Sequence, residues 1–337
     1  MIQAMKDQHP LIEMTDALEV SKSGFLAHLA KPQRPRRQRD ELLRPLIRQS
    51  FKRSRDTYGC PRIRLDLRDL GERCGKNRVA RLMREQGLRA KQKRRFRPCT
   101  TDTRHHHKVA ANWLAKVPEP DRPGQIWQSD ITYIQSAEGW LFLAFTLDAC
   151  SRRCIAHSCR ENLAGELTTA TFERAVAFQQ PLHPGLIHHS DRGSQYAADA
   201  FVRCLLARGV TASMSRKGNP YDNALAESFV ATLKTECFSD AIPPTRIAAR
   251  LMIFDYIETF YNAHRRHSAL GYRSPSQFEK DLRNNPAELP KDFTSQNKTN
   301  NLNYDSKAQS AFSKKDQWRL EPSPYPLPCE GRGEKRV

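Results

Sequence analysis

Three apolar segments in close succession between residues 125 and 158 constrain the fold of this chain more than any other feature. Their apolar residues alternate or run continuously, as in strands, and a turn at Glu138 and Gly139 joins the first two. Helical and strand patterns then alternate downstream. The predicted strands span 125–134, 140–148, 153–158, 185–190 and 210–214, and the predicted helices span 164–179, 198–208 and 245–262, with another beginning near residue 222. This order predicts an α/β domain with a mixed sheet flanked by helices.

Three acidic residues fall at informative places in these elements. Asp130 lies in the first strand, Asp191 directly follows the fourth, and Glu227 lies in a later helix, with 35 residues between it and Asp191. Because the chain holds 37 acidic residues, roughly three or four acidic pairs would share that separation by chance. The order of the elements is more informative, since it brings all three carboxylates to one edge of a single sheet.

The pattern of the helix that carries Glu227 predicts which side chains face outward. Its buried stripe should consist of residues spaced four apart, Leu225, Phe229 and Leu233. Asp222 is the expected N-cap of this helix. Glu227 lies off the stripe, and Lys234 shares its face, which makes Lys234 a candidate contact for a substrate backbone.

A set of three carboxylates favours Mg²⁺, because this hard cation prefers oxygen ligands, whereas histidine or cysteine ligands would favour zinc. Two such ions about 3.5–4 Å apart support in-line displacement at phosphorus. We therefore interpret Asp130, Asp191 and Glu227 as catalytic ligands of two Mg²⁺ ions, for which Mn²⁺ substitutes, in a site that cuts and joins DNA. For His188 and His189, packing or a phosphate contact is favoured over a role as general base.

Positive charge is concentrated in residues 34–108, which hold 25 Lys and Arg against 8 Asp and Glu in a chain of formal net charge +19. This distribution favours DNA over a membrane surface as the partner. Two short amphipathic helices here, the second at 76–86, predict a helix–turn–helix that enters a major groove, with a hairpin that only touches phosphates as the alternative. The predicted DNA contacts are the outward residues Arg78, Arg81 and Arg84 and the connector residues Lys93, Arg94 and Arg95.

The residues around the three carboxylates resemble the catalytic core of bacterial insertion-sequence transposases of the DDE type, a branch related to retroviral integrases. The resemblance runs from about residue 45 to residue 282, and it is carried by the strings WQSDITY at Trp127–Tyr133, HHSDRGSQY at His188–Tyr196 and NPYDNALAESF at Asn219–Phe229. It implies a ribonuclease H-like core preceded by a small all-α helix–turn–helix domain. It also implies that Ser194, Gln195 and Tyr196 line the path of the DNA.

The resemblance further implies a function in DNA transposition. A transposase of this kind, the product of a second reading frame, would recognise the terminal inverted repeats, cut the strands and transfer them into target DNA. The implied partners are a protein from the first reading frame and further copies of the chain on paired ends. Two alternatives stay open, namely a related nuclease that cuts without joining and a catalytically inactive DNA-binding relic.

Composition and patterning divide the chain into five expected parts. They are an N-terminal helical segment and basic linker at 1–39, a helix–turn–helix-like DNA-binding domain at 40–98, a basic connector at 99–120, the catalytic core at 121–284 and a disordered tail at 285–337. The nine cysteines include no C-x-x-C pair, so we expect thiols rather than a zinc site. The sequence contains neither a signal peptide nor an apolar span, and we expect a cytoplasmic, nucleoid-associated protein without a membrane partner.

Overall fold

The computed structural model describes residue 5 and residues 9–30, 35–91, 109–163, 165–216 and 219–285. The predictions for Lys93, Arg94 and Arg95, and those for the tail beyond residue 285, lie outside these residues. The helices that precede the sheet are α1 (Leu11–Ala17), α2 (Lys22–Ala30), α3 (Pro35–Arg53), α4 (Cys60–Asp69) and α5 (Lys76–Glu85).

Helices α3, α4 and α5 pack together as a three-helix domain. Helix α4 begins after Gly59 with Pro61 in its first turn, where the missing N–H of proline costs no hydrogen bond. Gly71 has a φ of +84° and turns the chain toward α5. All three helices contribute to the core through Leu43, Ile47, Ile63, Leu67, Val79 and Leu82. The predicted all-α domain ahead of the sheet is confirmed.

The sheet has five strands in the order β3-β2-β1-β4-β5. Its strands are β1 (Ile126–Ser136), β2 (Gly139–Asp148), β3 (Cys154–Arg160), β4 (Ile187–Ser190) and β5 (Thr211–Met214). The first three strands are antiparallel, whereas β4 and β5 run parallel to β1. Gly139 opens β2 with a φ of +113°, so the turn lies where the sequence predicts it. The sheet is mixed, as predicted.

Helices cover both faces of the sheet, which confirms the predicted fold class. On one face, α6 (Glu166–Phe178) and α8 (Asp199–Ala207) bury Phe172 and Phe201 in one cluster with Trp127 of β1. On the other face lie α9 (Ala224–Phe238) and a π-helical segment, Asp255–Tyr261, whose apolar side chains join those of β2. This second face is the one that carries the candidate site.

The remaining helices are α7 (Ser194–Ala197), α10 (Arg246–Phe254) and α11 (Pro275–Asn284). Helix α11 is capped by Ser274, whose Oγ accepts the Gln277 N–H at 3.3 Å, and it buries Phe278. Of the helices in the described ranges, none is both long and apolar enough to cross a membrane.

The three-helix domain packs directly on the second face of the sheet domain. Arg55, just after α3, donates two hydrogen bonds to Asp255, at 2.6 and 3.1 Å. The ring of Tyr58 lies 6.4 Å from that of Phe260. One cluster of buried apolar side chains therefore runs from the three-helix domain into the core of the sheet domain.

Candidate active site

The pairing of two parallel strands places Asp130 beside Asp191. Ser129 of β1 is the register partner of Ser190 of β4, so the next residue along each strand is an aspartate. Adjacent strands lie about 4.8 Å apart. The parallel pairing of β1 and β4 therefore brings the two aspartates to the same edge of the sheet.

Backbone groups orient one oxygen of each aspartate. Oδ1 of Asp191 accepts the Gly193 N–H at 2.9 Å, and Oδ1 of Asp130 accepts the Ile131 N–H at 2.8 Å. A Cβ atom on residue 193 would lie 3.0 Å from Oδ1 of Asp191. The glycine at this position therefore permits the close turn that follows β4.

Helix α9 brings Glu227 to the same face of the sheet. Phe145, the cross-strand partner of Asp130, packs against a phenylalanine of α9 with the ring centroids 4.6 Å apart. Leu225 is only partly buried, although the sequence predicts it in the inner stripe, and Glu227 is exposed. The buried apolar residues of the stripe are Ala226, Phe229 and Leu233.

Asp191 and Glu227 lie close enough to Asp130 to affect its ionisation. Burial, and then the negative charge of Asp191 and that of Glu227, raise the pKa of Asp130 to about 8. The Ile131 N–H and the Lys234 ammonium act in the opposite direction. This crowding of like charges is the kind that a divalent cation relieves.

The side chains of Asp130, Asp191 and Glu227 are chemically suited to bind a hard divalent cation, but their arrangement in the structure is not that of a metal site. No group of three or more Asp, Glu, His or Cys side chains within the described ranges is arranged to hold a metal ion. The three carboxylates nevertheless offer only oxygen donors, and they concentrate negative charge around Asp130.

Lys234 stands beside the carboxylates on the same helix as Glu227. Its Nζ lies 4.8 Å from the centre of the Tyr133 ring, which belongs to β1. Burial lowers the pKa of Lys234 below its ordinary value, and the charge of the nearby Asp130 offsets only part of this effect. The ammonium is thus held at the edge of the site by an aromatic ring and by the carboxylate charge.

The two histidines before Asp191 are part of the packing. His188 Nε2 lies 2.8 Å from Ser129 Oγ, and the buried His189 ring lies between Ser213 and Ser215, at 2.8 and 3.1 Å from their Oγ atoms. Burial lowers the pKa of His188 to about 3 and that of His189 to about 4. Neutral, enclosed imidazoles support the packing interpretation.

The segment Ser194–Tyr196 forms most of the short helix α7. Ser194 and Gln195 are partly exposed beside Asp191, whereas Tyr196 is 3% exposed and packs its ring against Phe201 at 5.4 Å. A side chain so enclosed cannot reach DNA in this arrangement. The predicted DNA contact of Tyr196 is therefore replaced by a packing role.

Two of the predicted contacts on α5 are paired with an aspartate of α3. Arg78 Nε lies 2.7 Å from Oδ1 of the buried Asp40, and Arg81 Nη2 lies 2.6 Å from its Oδ2. Burial raises the pKa of Asp40, but the hydrogen bonds from Arg81 and Arg78 outweigh it, and the net pKa is lowered. The two arginines thus join α5 to α3, whereas Arg84 is exposed.

Asp222 is not the N-cap of α9, although its position in the sequence predicts that it is. The N-cap of α9 is Asn223, which makes no side-chain capping bond, and Asp222 lies one residue earlier in the 3₁₀ turn Pro220–Asn223. Its carboxylate instead receives hydrogen bonds from Arg216 and Asn112. The contact with Asn112 does not follow from local spacing, because Asn112 is 110 residues away in the chain.

A mixed sheet with one aspartate in a strand and another just after the neighbouring parallel strand, a glutamate on the covering helix and a basic three-helix domain defines a protein of the integrase and transposase class. Matches to models of known protein families agree with this description. The "HTH-like domain" model matches residues 37–96, and two "Integrase core domain" models match residues 120–220 and 208–275. The chain belongs to the family of insertion-sequence transposases that carry an integrase core domain.

Its relatives match over most of their own length. An uncharacterized 31 kDa protein of insertion element IS600 from Shigella sonnei is 42% identical over 265 residues, which are 79% of this chain and 97% of that protein. The transposase of IS904 from Lactococcus lactis is 39% identical, over 71% and 94% of the two chains. The InsF transposase of IS3A from Escherichia coli is 36% identical, over 79% and 92%.

Among solved structures, the HTLV-2 integrase catalytic core in complex with magnesium aligns with a TM-score of 0.34 at 16% identity. The alignment covers 47% of this chain and 97% of that one.

Proposed function

We propose that this transposase catalyses metal-dependent DNA cleavage and strand transfer at the ends of its insertion sequence, with Asp130, Asp191 and Glu227 as the catalytic metal ligands. One observation carries the proposal. Asp130 in β1 and Asp191 just after the parallel β4 lie at matching positions, and Asp191 and Glu227 are close enough to raise the pKa of Asp130. A carboxyl group whose pKa is strongly shifted by burial and by neighbouring charges is a candidate for a functional site.

Two Mg²⁺ ions, for which Mn²⁺ substitutes, would activate the attacking oxygen and stabilise the leaving oxygen of the phosphodiester. The protein's own contribution is to hold the ligands and the substrate. Asp130 and Asp191 each have one oxygen oriented by a backbone N–H. Lys234, at the edge of the same site, is suited to contact a substrate phosphate, and Ser194 and Gln195 are suited to line the DNA path.

The three-helix domain would recognise the terminal inverted repeats. Since Arg78 and Arg81 are engaged with Asp40, the exposed side of α5 offers Lys76, Asn77 and Arg84 to DNA. Asn77 and Arg84 are seven residues apart, close to two helical turns, so they share one side of the helix, and Lys76 precedes Asn77. The connector residues Lys93, Arg94 and Arg95 stay in the proposal as phosphate contacts.

The wider arrangement is also part of the proposal. The chain would act as a multimer on paired ends, with target DNA as its second substrate and a first-reading-frame protein as an additional DNA-binding partner. Its place of action would be the cytoplasm, on the nucleoid. The proposed domains follow the expected division, with residues 40–98 binding the ends and residues 121–284 catalysing the reaction.

The test is strand transfer on a pre-cut terminal-repeat substrate, in parallel with gel-shift binding. Asp130→Asn, Asp191→Asn and Glu227→Gln should each lower transfer by orders of magnitude while DNA binding persists, because each removes a negatively charged oxygen. Asp199→Asn is the matched control, since this aspartate is exposed at the start of α8.

Near-normal transfer by any one of the three variants would remove that residue from the site. The two alternatives give different results. A nuclease would cut a terminal-repeat substrate without joining it, and an inactive relic would bind the repeats without cutting at any Mg²⁺ or Mn²⁺ concentration.

A further inference from the structure

Asp222 is a buried carboxylate that the proposed chemistry does not use. It is 6% exposed and lies five residues before Glu227, in the turn that leads into α9. Its oxygens accept four hydrogen bonds. Arg216 donates three of them, through its backbone N–H at 2.8 Å, its Nε at 3.1 Å and its Nη2 at 2.9 Å. Asn112 donates the fourth through Nδ2 at 2.8 Å.

These bonds join the two parts of the chain that carry the candidate ligands. Arg216 lies just after β5, next to Ser215. The carbonyl oxygen of Ser215 accepts a hydrogen bond from Nε of Arg192 at 2.6 Å. Ser215 also donates its backbone N–H to the Ser190 carbonyl at 3.0 Å. The segment that carries Asp191 is therefore tied to residues 215 and 216, and Asp222 ties residue 216 to the start of α9.

Asn112 adds a third element to this arrangement. It belongs to the connector between the three-helix domain and the sheet, and the next residue, Trp113, donates its backbone N–H to Ser213 Oγ at 2.9 Å. Ser213 Oγ in turn lies 2.8 Å from Nδ1 of His189. The connector is thus fastened along β5 and at Asp222, close to both carboxylate-bearing segments.

We propose that Asp222 is a positioning residue, which sets the location of Glu227 relative to Asp191 and links it, through Asn112, to the connector from the DNA-binding domain. The physical reason is the number and direction of its hydrogen bonds. A buried carboxylate with a two-point arginine contact and a backbone N–H has little freedom to move. The inference rests on the proposed function, because it concerns the placement of a proposed ligand.

The experiment compares Asp222→Asn with Asp148→Asn. Asp148 is also a buried carboxylate that accepts several hydrogen bonds, from the Gly124 N–H at 2.6 Å, the Ser151 N–H at 2.7 Å and Ser151 Oγ at 3.0 Å. It lies at the end of β2, opposite Trp127, on a strand that carries none of the proposed ligands. Each variant replaces an accepting oxygen by an amide that faces a donor, so both should lose stability.

Three quantities are measured for each variant, namely the melting temperature, its increase on addition of Mg²⁺, and the Mg²⁺ concentration that half-saturates strand transfer. Asp222→Asn should raise the half-saturating Mg²⁺ concentration about 10- to 100-fold and reduce the Mg²⁺-induced rise in melting temperature, as for partners that orient metal ligands. The KM for terminal-repeat DNA should stay unchanged. Asp148→Asn should lower the melting temperature but leave both Mg²⁺ responses at wild-type values.

If Asp222→Asn fails to fold, Arg216→Lys and Asn112→Ala test the same bonds with smaller changes, and each should shift the Mg²⁺ responses in the same direction. Wild-type Mg²⁺ responses in the folded variants would overturn the inference. That outcome is distinct from failure of the proposed function, in which Glu227→Gln itself would retain strand transfer.

Discussion

Arg265 and Glu236 form an ion pair inside the protein. Nε and Nη2 of Arg265 lie 2.8 and 2.7 Å from the two carboxylate oxygens of Glu236, and each side chain is only 8% exposed. The Tyr256 hydroxyl donates a third hydrogen bond to Glu236 at 2.7 Å. Because Glu236 lies on α9, this pair fixes the far end of the helix that carries Glu227.

Removal of one member of this pair should cost much more than removal of an exposed one. Glu236→Gln should destabilise the protein by about 3–5 kcal/mol, because it leaves the buried guanidinium without its counter-charge. The measurement is the free energy of unfolding in urea. Glu173→Gln breaks the exposed Arg208–Glu173 pair, where both side chains are about 40% exposed, and should cost under about 1 kcal/mol. Equal losses in the two variants would contradict the prediction.

The order of strands and helices follows from the sequence because apolar patterning and glycine turns are local signals. The long helix predicted at 245–262 is different, since the structure ends α10 at Phe254 and continues as a π-helical segment. That segment buries Tyr256, Phe260 and Tyr261 against the sheet and the three-helix domain. Such a change of helical pitch depends on tertiary packing, which periodicity in one segment does not contain.

Part of the candidate site can likewise be predicted from the sequence. Parallel pairing of β1 and β4 brings Asp130 and Asp191 together once the strands are placed correctly. The contacts of α5 are not predictable in this way. Amphipathic spacing shows that Arg78 lies off the apolar side of its helix, but it does not show which residue Arg78 contacts. Its partner, Asp40, lies 38 residues earlier, on α3.

The pair of arginines on Asp40 leads to a prediction about stability and pH. Asp40→Asn should destabilise the protein by about 1–3 kcal/mol at pH 7, because both arginines lose a charged acceptor. The pKa of Asp40 in the folded protein is lowered. The stabilisation that Asp40 provides is therefore fully present at pH values above the ordinary carboxyl pKa, and it is lost as the pH falls through the pKa of the folded state. Unfolding free energies of the two proteins should therefore converge in acid. A constant difference from pH 7 down to pH 3 would contradict this account.

The exposed side of α5 gives a separate prediction about DNA. Lys76→Ala and Arg84→Ala should weaken binding to the terminal repeats without lowering the melting temperature, because both side chains are exposed. A lost phosphate contact should also reduce the slope of log affinity against log salt by about 1. Gel shifts at several salt concentrations measure both effects. Arg81→Ala is the comparison, since it should lower the melting temperature through Asp40; the reverse pattern would return Arg81 to the DNA-contacting set.

The contact between the three-helix domain and the sheet domain gives the last prediction. Arg266 lies 2.7 Å from Asp66 of α4, pairs closely with Asp69, and donates its backbone N–H to the Tyr58 hydroxyl at 2.7 Å. Under the proposed function, this contact would set where DNA held by α5 stands relative to Asp130. Arg266→Ala should therefore leave terminal-repeat binding near normal while lowering cleavage and strand transfer about 10- to 100-fold, since small misplacements of a substrate are costly.

Arg68→Ala is the matched control for Arg266→Ala. Its side chain is 63% exposed, and its nitrogen lies 3.9 Å from Asp69, so the domain contact should survive its loss. Gel-shift affinity, the position of the cut on a labelled terminal repeat and the transfer rate are compared in both variants. Loss of binding together with loss of cleavage in Arg266→Ala would show that the contact folds the three-helix domain. Unchanged cleavage would show that the domains need no fixed arrangement, because DNA held by α5 would then reach the carboxylates without this contact.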